Sequence, residues 1–427
     1  MDQFIIEGGK PIKGTVKISG SKNAALPILI ATLLTDEACV IENVPVLLRD
    51  IRTTFQLLES LGKGIEVRGS RVTVKPKASL KTHAPYDLVK QMRASVLVAG
   101  PLLARFGVVR VPIPGGCSIG LRPIDIHLDG FKALGARELV DQGDIILSSR
   151  ELAPGRVHLK FPSVGATENL MMAAAALEGE TIIENAAREP EIEDLGRFLT
   201  ALGAKVKGVG RSTVYIRGKS VLHGARYSVI ADRLEAGTFM IAAAATQGRV
   251  DLIGAKPEHL KDTIAKLRAC GVKVKTGIRE ISVVSDGHTI KPVSIKTGPY
   301  PGFSTDLQAL WMSLMCLADG ESEIEETIFE NRFLHAAELL RMGASISVHG
   351  SHARVLGVKN LIGAPIMASD IRGGAALLVA ALSAQGKSVL QRVYHIDRGY
   401  EKIEDKLAGL GASIQRVNDS RKLPSNS

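Results

Sequence analysis

The sequence is poor in aromatics: they make up 4% of 427 residues, with a single Trp. No stretch interleaves Lys or Arg with aromatic rings, so a base-stacking nucleic-acid surface has no residues to build it. Cysteine is scarce too. The four, at 39, 117, 270 and 316, form no CxxC or other metal-like spacing. Such sparse use fits a reducing cytosol better than a disulfide framework. Apolar runs stop at about a dozen residues, short of the ~20 that a bilayer needs, and the first twenty residues lack the apolar run of a signal peptide. The expectation is a cytoplasmic protein with no metal, no membrane span and no nucleic-acid partner. P-loop, GxGxxG and HExxH patterns are also missing.

What is present is a globular composition, 45% hydrophobic and 23% charged, with a net charge of +10. The length calls for two or three domains. Dispersed surface lysines account for about half of the charge excess, and anionic small substrates are one reading of the rest. A repeat decides the architecture. The pattern Leu-x-x-Leu-Gly-Ala occurs, with substitutions, in "LESLGKGIEV", "FKALGARELV", "LTALGAKVKG", "LRACGVKVKT", "LLRMGASISV" and "LAGLGASIQR". Its glycines, 62, 135, 203, 271, 343 and 411, are separated by 73, 68, 68, 72 and 68 residues. Each reads as an amphipathic helix stopped by glycine and followed by a strand. A second element keeps step: an alanine-rich, uniformly apolar helix ending at Asp36, Gly107, Gly179, Gly248, Gly320 or Gly386. Helices apolar all round are buried. Each of the six units therefore reads as buried helix, strand, amphipathic helix, strands. An open solenoid is the competing architecture, but its terminal units would be polar caps, and neither end is one. Two bodies of three units, helices inside and sheets outside, fit better, with a boundary near "YSVIADRLEAG".

Fourteen residues before each turn stand Lys22, Arg93, Gly165, Leu234, Asp306 and Arg372. Helix N-termini disfavour cations, so Lys22, Arg93 and Arg372 call for an anion lying against those ends. Facing bodies would make a cationic cleft of them, and scattered surface cations are the alternative. Asp306 reads equally as an ordinary N-terminal acid or as a base. Cys117, in the Pro- and Gly-rich "VPIPGGCSIGLRP", is an exposed-loop thiol, and beside arginines such a thiol is both a nucleophile and an acid. Cys39, Cys270 and Cys316 read as inert core thiols, and His127 and His395 as structural hydrogen-bonders. Cys117, Asp306 and Asp370 remain for proton chemistry.

The stretches "SGSKNAALP", "QMRAS", "PGGCSIGLRPIDIHLDG", "PSVGATEN", "YPGFSTDLQA", "SDIRGG" and "DRGYEKIEDKLAGLGA" resemble, in order and over about residues 1–418, the UDP-N-acetylglucosamine 1-carboxyvinyltransferases. These are enolpyruvyl transferases of the EPSP synthase-like family. The resemblance implies an α/β fold of two inside-out α/β-barrel domains, each of three βαβαββ repeats. Domain I would take residues 21–230, domain II residues 1–20 and 231–418, and residues 419–427 a flexible tail. It implies cofactor-free transfer of the enolpyruvyl group of phosphoenolpyruvate to the 3′-hydroxyl of UDP-N-acetylglucosamine, in peptidoglycan synthesis.

Position by position, Cys117 matches the proton donor that forms a covalent adduct with phosphoenolpyruvate and is alkylated by fosfomycin. Asp306 matches the base at the sugar hydroxyl, and Asp370 a second acid near the reacting carbons. Lys22, Arg122 and Arg398 match the clamp on phosphoenolpyruvate, with Asn23 and Arg93 as neighbours and Arg372 as a further cleft arginine. Arg122, Pro123, Ile124, Asp125 and Ile126, with Ser163, Val164 and Gly165, match uridine diphosphate contacts, and Ile328 the site beside the sugar. Two departures stand out. Phe161 occupies a place where some members carry lysine, although Lys160 adjoins it. The second glycine of "DIRGG" is expected to loosen that helix start. The sister shikimate enzyme, a non-catalytic regulatory homologue and a nucleic-acid binder are the alternatives, in that order.

Overall fold

The structure is a computed structural model that describes residues 2–113, 124–287 and 289–418. Cys117, Arg122 and Pro123 lie outside the described residues, as does the 419–427 tail. The alanine-rich stretches form the helices Lys22–Ala31, Ala99–Phe106, Val164–Ala175, Arg233–Ala245, Thr305–Met315 and Ile371–Ser383. Small side chains let these helices approach closely. A Cβ on Gly100 would sit 2.2 Å from the Asn169 carbonyl oxygen, and one on Gly237 would sit 2.8 Å from Leu307.

The amphipathic segments form Arg49–Ser60, Asp125–Ala133, Pro190–Ala201, Lys261–Ala269, Leu334–Arg341 and Ile403–Gly409. Each buries one stripe, as Ile51, Leu57 and Leu58 do on the first. The repeat glycines that follow them all have φ between 84° and 111°. That left-handed region costs other L-residues ~1–2 kcal/mol, which is why glycine marks the repeat.

Strands flanking a buried helix pair in parallel, as Arg156–His158 does with Gly179–Glu184 and Pro365–Met367 with Lys387–Gln391. The two strands after the amphipathic helix then add antiparallel, as Thr213–Gly218 and Lys205–Lys207 do. Among the described residues this makes six separate sheets, five of four strands and one of three. In the smallest, a single bridge between His83 and Arg110 stands where the fourth strand would be.

The chain divides into two compact units, one of residues 20–113 and 124–230, the other of residues 2–19 and 231–418. Each has its own core, drawn from all three of its repeats. Leu29, Leu103 and Met172 share one; Met240, Leu310 and Leu378 share the other. A solenoid is thereby excluded, since its repeats meet only their neighbours. In one unit Arg226–Ser228 returns to pair with Cys39–Glu42, joining last repeat to first. In the other, Lys13–Lys17 pairs with Arg249–Ile253, and Asp2–Glu7 lies between Lys387–Gln391 and Ser413–Asn418.

Because the Gly100 neighbour is backbone, it cannot swing aside. Gly100→Ala is expected to cost about 1–3 kcal/mol through overpacking, read from urea unfolding midpoints. An unchanged midpoint would contradict the close approach.

Candidate active site

All six positions counted from the sequence fall at helix starts. Lys22 opens its helix, and Gly165, Leu234, Asp306 and Arg372 are second in theirs. Arg93 opens a 3₁₀ turn, Arg93–Val98, that leads into the α-helix behind it. The caps are largely local: Ser21, Ser163, Asp232 and Asp370 accept backbone N–H groups with their side chains.

In the unit of residues 20–230, Lys22 is buried and its Nζ stands 3.2 Å from Asp50 Oδ2, itself buried at the start of Arg49–Ser60. The protein thus supplies Lys22 with a carboxylate partner of its own. Asn23 beside it is half-buried. Arg93 acts on His127. Burial first, then the Arg93 charge, pushes the His127 imidazole down to about 4. The neutral ring accepts from Asn169 Nδ2 through Nδ1, at 3.1 Å, and its Cε1 lies 3.2 Å from where a Gly165 Cβ would be. Asn169 in turn accepts from Gly100 N–H at 2.7 Å and donates to the Val96 carbonyl at 3.1 Å. Asn169 thus ties the Arg93 turn to the helix that Val164 opens, and His127 hydrogen-bonds to that link. Ser163 caps the next helix at Ala166 N–H, 3.3 Å away, and Val164 opens that helix. Ile124 is buried, Ile126 half-buried and Asp125 exposed, the last two in the first turn of Asp125–Ala133. Lys160 is paired with Asp129 at 2.6 Å, while Phe161 is exposed.

In the other unit, Asp306 accepts from Arg332 Nη2 at 2.6 Å through Oδ1 and from Arg372 Nη2 at 3.2 Å through Oδ2. The arginine side chains are 4% and 6% exposed. Arg372, like Lys22, has an internal carboxylate partner, and its guanidinium also lies over the Tyr400 ring at 5.3 Å. Asp370 caps its helix, accepting through Oδ1 from Arg372 N–H at 2.9 Å and Gly373 N–H at 3.0 Å. The Ser369 hydroxyl donates to Oδ2 at 3.0 Å. Burial alone would raise its pKa. The Gly373 N–H bond, the Arg332 charge, the Ser369 hydroxyl bond and the Arg372 N–H bond outweigh that and hold it below the usual carboxylate value.

Both glycines of this helix start are closely packed. A Cβ on Gly373 would lie 2.7 Å from Asp370 Oδ2, and one on Gly374 2.9 Å from Ile396. The pair of glycines makes room for the cap and for tight packing. Arg398 ends the Val393–Arg398 turn, and with burial it lowers the pKa of His395. Ile328 is half-buried in the loop before Arg332.

Sequence reasoning missed Arg332 and Asp50. Each pairs across more than twenty residues, 26 and 28 respectively, and neither stands at a counted helix start. Cys39, Cys270 and Cys316 are free and buried. Burial raises all three thiols, the last two to about 12, so none is a ready nucleophile. Among the described residues, no group of three or more His, Cys, Asp or Glu is placed to hold a metal ion, and no helix is long and apolar enough to cross a membrane.

The lowered His127 value carries a stability consequence. Its neutral form is the folded one, so its contribution is present above the ordinary 6.5 and is lost as pH falls toward 4. That loss amounts to ~3 kcal/mol. Urea unfolding at stepped pH is expected to show it, and His127→Gln to flatten it; equal slopes would contradict the assignment.

The model of the family described as EPSP synthase (3-phosphoshikimate 1-carboxyvinyltransferase) matches residues 6–407. The chain belongs to the EPSP synthase family. Within this family it is 54% identical to the UDP-N-acetylglucosamine 1-carboxyvinyltransferase of Elusimicrobium minutum, over 98% of this chain and 99% of the relative. It is likewise 54% identical to the protein of that name from Trichlorobacter lovleyi, over 98% and 100%. Among solved structures, the enolpyruvyl transferase NikO from Streptomyces tendae has a TM-score of 0.88 at 25% identity, covering 97% of this chain and 98% of that one. EPSP synthase from Acinetobacter baumannii reaches 0.74 at 18% identity, covering 98% and 100%, which shows the shared fold. The family member described here is a transferase with the enolpyruvyl transferase fold.

Proposed function

We propose that the chain transfers the enolpyruvyl group of phosphoenolpyruvate to the 3′-hydroxyl of UDP-N-acetylglucosamine, releasing phosphate. This would be the first committed step of peptidoglycan synthesis, and through it the protein would serve cell shape and division. The observation that carries the reading is the end-to-end identity of 50–54% with relatives bearing that name. The family description alone would also allow shikimate 3-phosphate as acceptor, but the relatives at 54% identity bear the nucleotide-sugar name.

The chemistry requires a proton on C3 of phosphoenolpyruvate, which makes C2 electrophilic, and removal of the acceptor hydroxyl proton as its oxygen bonds to C2. A tetrahedral adduct results. Loss of a C3 proton and cleavage of the C2–O bond to phosphate then leave the enol ether. Asp306 takes the hydroxyl proton in this reading, with Arg332 and Arg372 fixing its two oxygens. Asp370 acts near the reacting carbons. Lys22, Arg122 and Arg398 bind the phosphate and carboxylate of phosphoenolpyruvate. Asn23, Arg93 and Arg372 stand by, while Ile124, Asp125, Ile126, Ser163, Val164 and Gly165, with Arg122 and Pro123, contact the nucleotide, and Ile328 the sugar. No cofactor takes part, and the reaction is placed in the cytoplasm.

Cys117 delivers the C3 proton and carries the covalent adduct. Its thiolate would also open the fosfomycin epoxide, forming an S–C bond as the ring C–O bond breaks. Peptide mass mapping after fosfomycin is expected to find the adduct on Cys117 and none on Cys117→Asp; an adduct elsewhere would name a different thiol. The function itself is tested by mass spectrometry of a reaction with both substrates. The enolpyruvyl ether of the nucleotide sugar is the expected product, and unchanged UDP-N-acetylglucosamine would refute the reading.

A further inference from the structure

Two of the six buried-helix starts lack a side-chain cap, the one bearing Arg93 and the one bearing Asp306. Ser304 is placed as the cap of the Asp306 helix, and its carbonyl accepts from Leu307 N–H at 2.9 Å, but its side chain accepts no N–H from the helix. What holds this start comes from far along the chain. Glu326 is 2% exposed and both its oxygens are used. Oε2 accepts from the Thr305 hydroxyl at 2.9 Å, one residue before Asp306. Oε1 accepts from Ile328 N–H at 2.8 Å, Phe329 N–H at 3.2 Å and the Thr297 hydroxyl at 3.0 Å. Thr297 reinforces the same loop, since its Oγ1 accepts from Thr327 N–H and its carbonyl from the Thr327 hydroxyl, both at 2.8 Å.

The loop then reaches Asp306 a second time. Arg332, whose guanidinium lies 5.2 Å from the Phe329 ring centroid, donates to Asp306 Oδ1. Glu326, Thr305, Asp306, Arg332 and the 328–329 backbone thus form a closed ring of contacts.

We propose that Glu326 is a positioning residue for the acceptor chemistry, one carboxylate setting the Asp306 helix start and the Ile328 loop in a single register. The proposal rests on the reading that Asp306 serves as the base at the acceptor hydroxyl and that Ile328 adjoins the sugar. A carboxylate with four donors is a strong and directional tie, and deleting it orphans two backbone N–H groups and two hydroxyls. Displacing a reacting group by about 1 Å can cost 10²-fold in rate. Loosening the tie should therefore damage turnover and sugar-nucleotide binding together.

The test is steady-state kinetics on Glu326→Ala, Glu326→Gln and the isosteric Thr305→Val, with rates referred to the folded fraction from thermal unfolding. Glu326→Ala is expected to lose kcat by about 100-fold and to raise the KM for UDP-N-acetylglucosamine. Glu326→Gln keeps an accepting Oε1 and an amide that donates to Thr305, so it should restore most of both. Thr305→Val is expected to lose about 10-fold in kcat with little change in KM, because it cuts only the arm to Asp306. Adding it to Glu326→Ala should cost nothing more, since the two remove one interaction.

Wild-type kcat in Thr305→Val, or a folded Glu326→Ala with wild-type kinetics, would overturn the proposal. If Glu326→Ala does not fold, Thr305→Val decides. Asp306→Asn run in parallel separates the two possible failures. Near-full turnover there refutes the underlying base assignment, whereas its collapse beside an unimpaired Glu326→Ala refutes the clamp alone.

Discussion

Asp306→Asn is expected to lower turnover by about 10²–10⁴-fold, the range that a positioned general base supplies, and to destabilise the fold at the same time. The second effect follows from the arginines. Arg332 and Arg372 are 4% and 6% exposed, and Asn offers them no charge. Removing one partner of a buried ion cluster leaves uncompensated charge and costs about 3–5 kcal/mol. Phosphate release and urea unfolding on the same preparation check both. Unchanged turnover would remove Asp306 from the proton chemistry, and unchanged stability would mean the two guanidiniums do not depend on it.

Lys22→Met is expected to lower kcat/KM for phosphoenolpyruvate by about 10²–10³-fold, since truncating a buried, hydrogen-bonded charge costs 2–5 kcal/mol. The Asp50 pairing sharpens the expectation. Lys22 is held by a buried carboxylate at 3.2 Å, so its ammonium is oriented before any substrate arrives, and its loss also strands Asp50. Lys22→Arg should not restore function, because a planar fork does not fit where a compact ammonium is seated. Phosphate release at varied phosphoenolpyruvate measures the loss. A wild-type value in Lys22→Met would mean the Lys22–Asp50 pair is only a structural element of that helix start.

Much of this architecture can be read from local signals. Gly62, Gly135, Gly203, Gly271, Gly343 and Gly411 stand where a left-handed residue must end a helix, so their spacing shows six repeats. Counting from the turns finds the helix starts because the stretch from start to turn, 3₁₀ turns included, keeps nearly the same length in all six units. The pairings across the helix starts are another matter. Nothing local ties Arg332 to Asp306 or Asp50 to Lys22, so the carboxylate partners of two of the counted cations are not legible in the sequence. Gly374, the second glycine of the Asp370 helix start, misleads for a similar reason. It reads as slack in the sequence, yet Ile396 and Ala368 occupy the space its Cβ would need.

The central claim is that this family member uses the nucleotide sugar as acceptor. The most direct measurement is phosphate release from phosphoenolpyruvate with each acceptor supplied separately, UDP-N-acetylglucosamine and shikimate 3-phosphate. Release with UDP-N-acetylglucosamine and none with shikimate 3-phosphate is the predicted result. Release with shikimate 3-phosphate only would contradict the account.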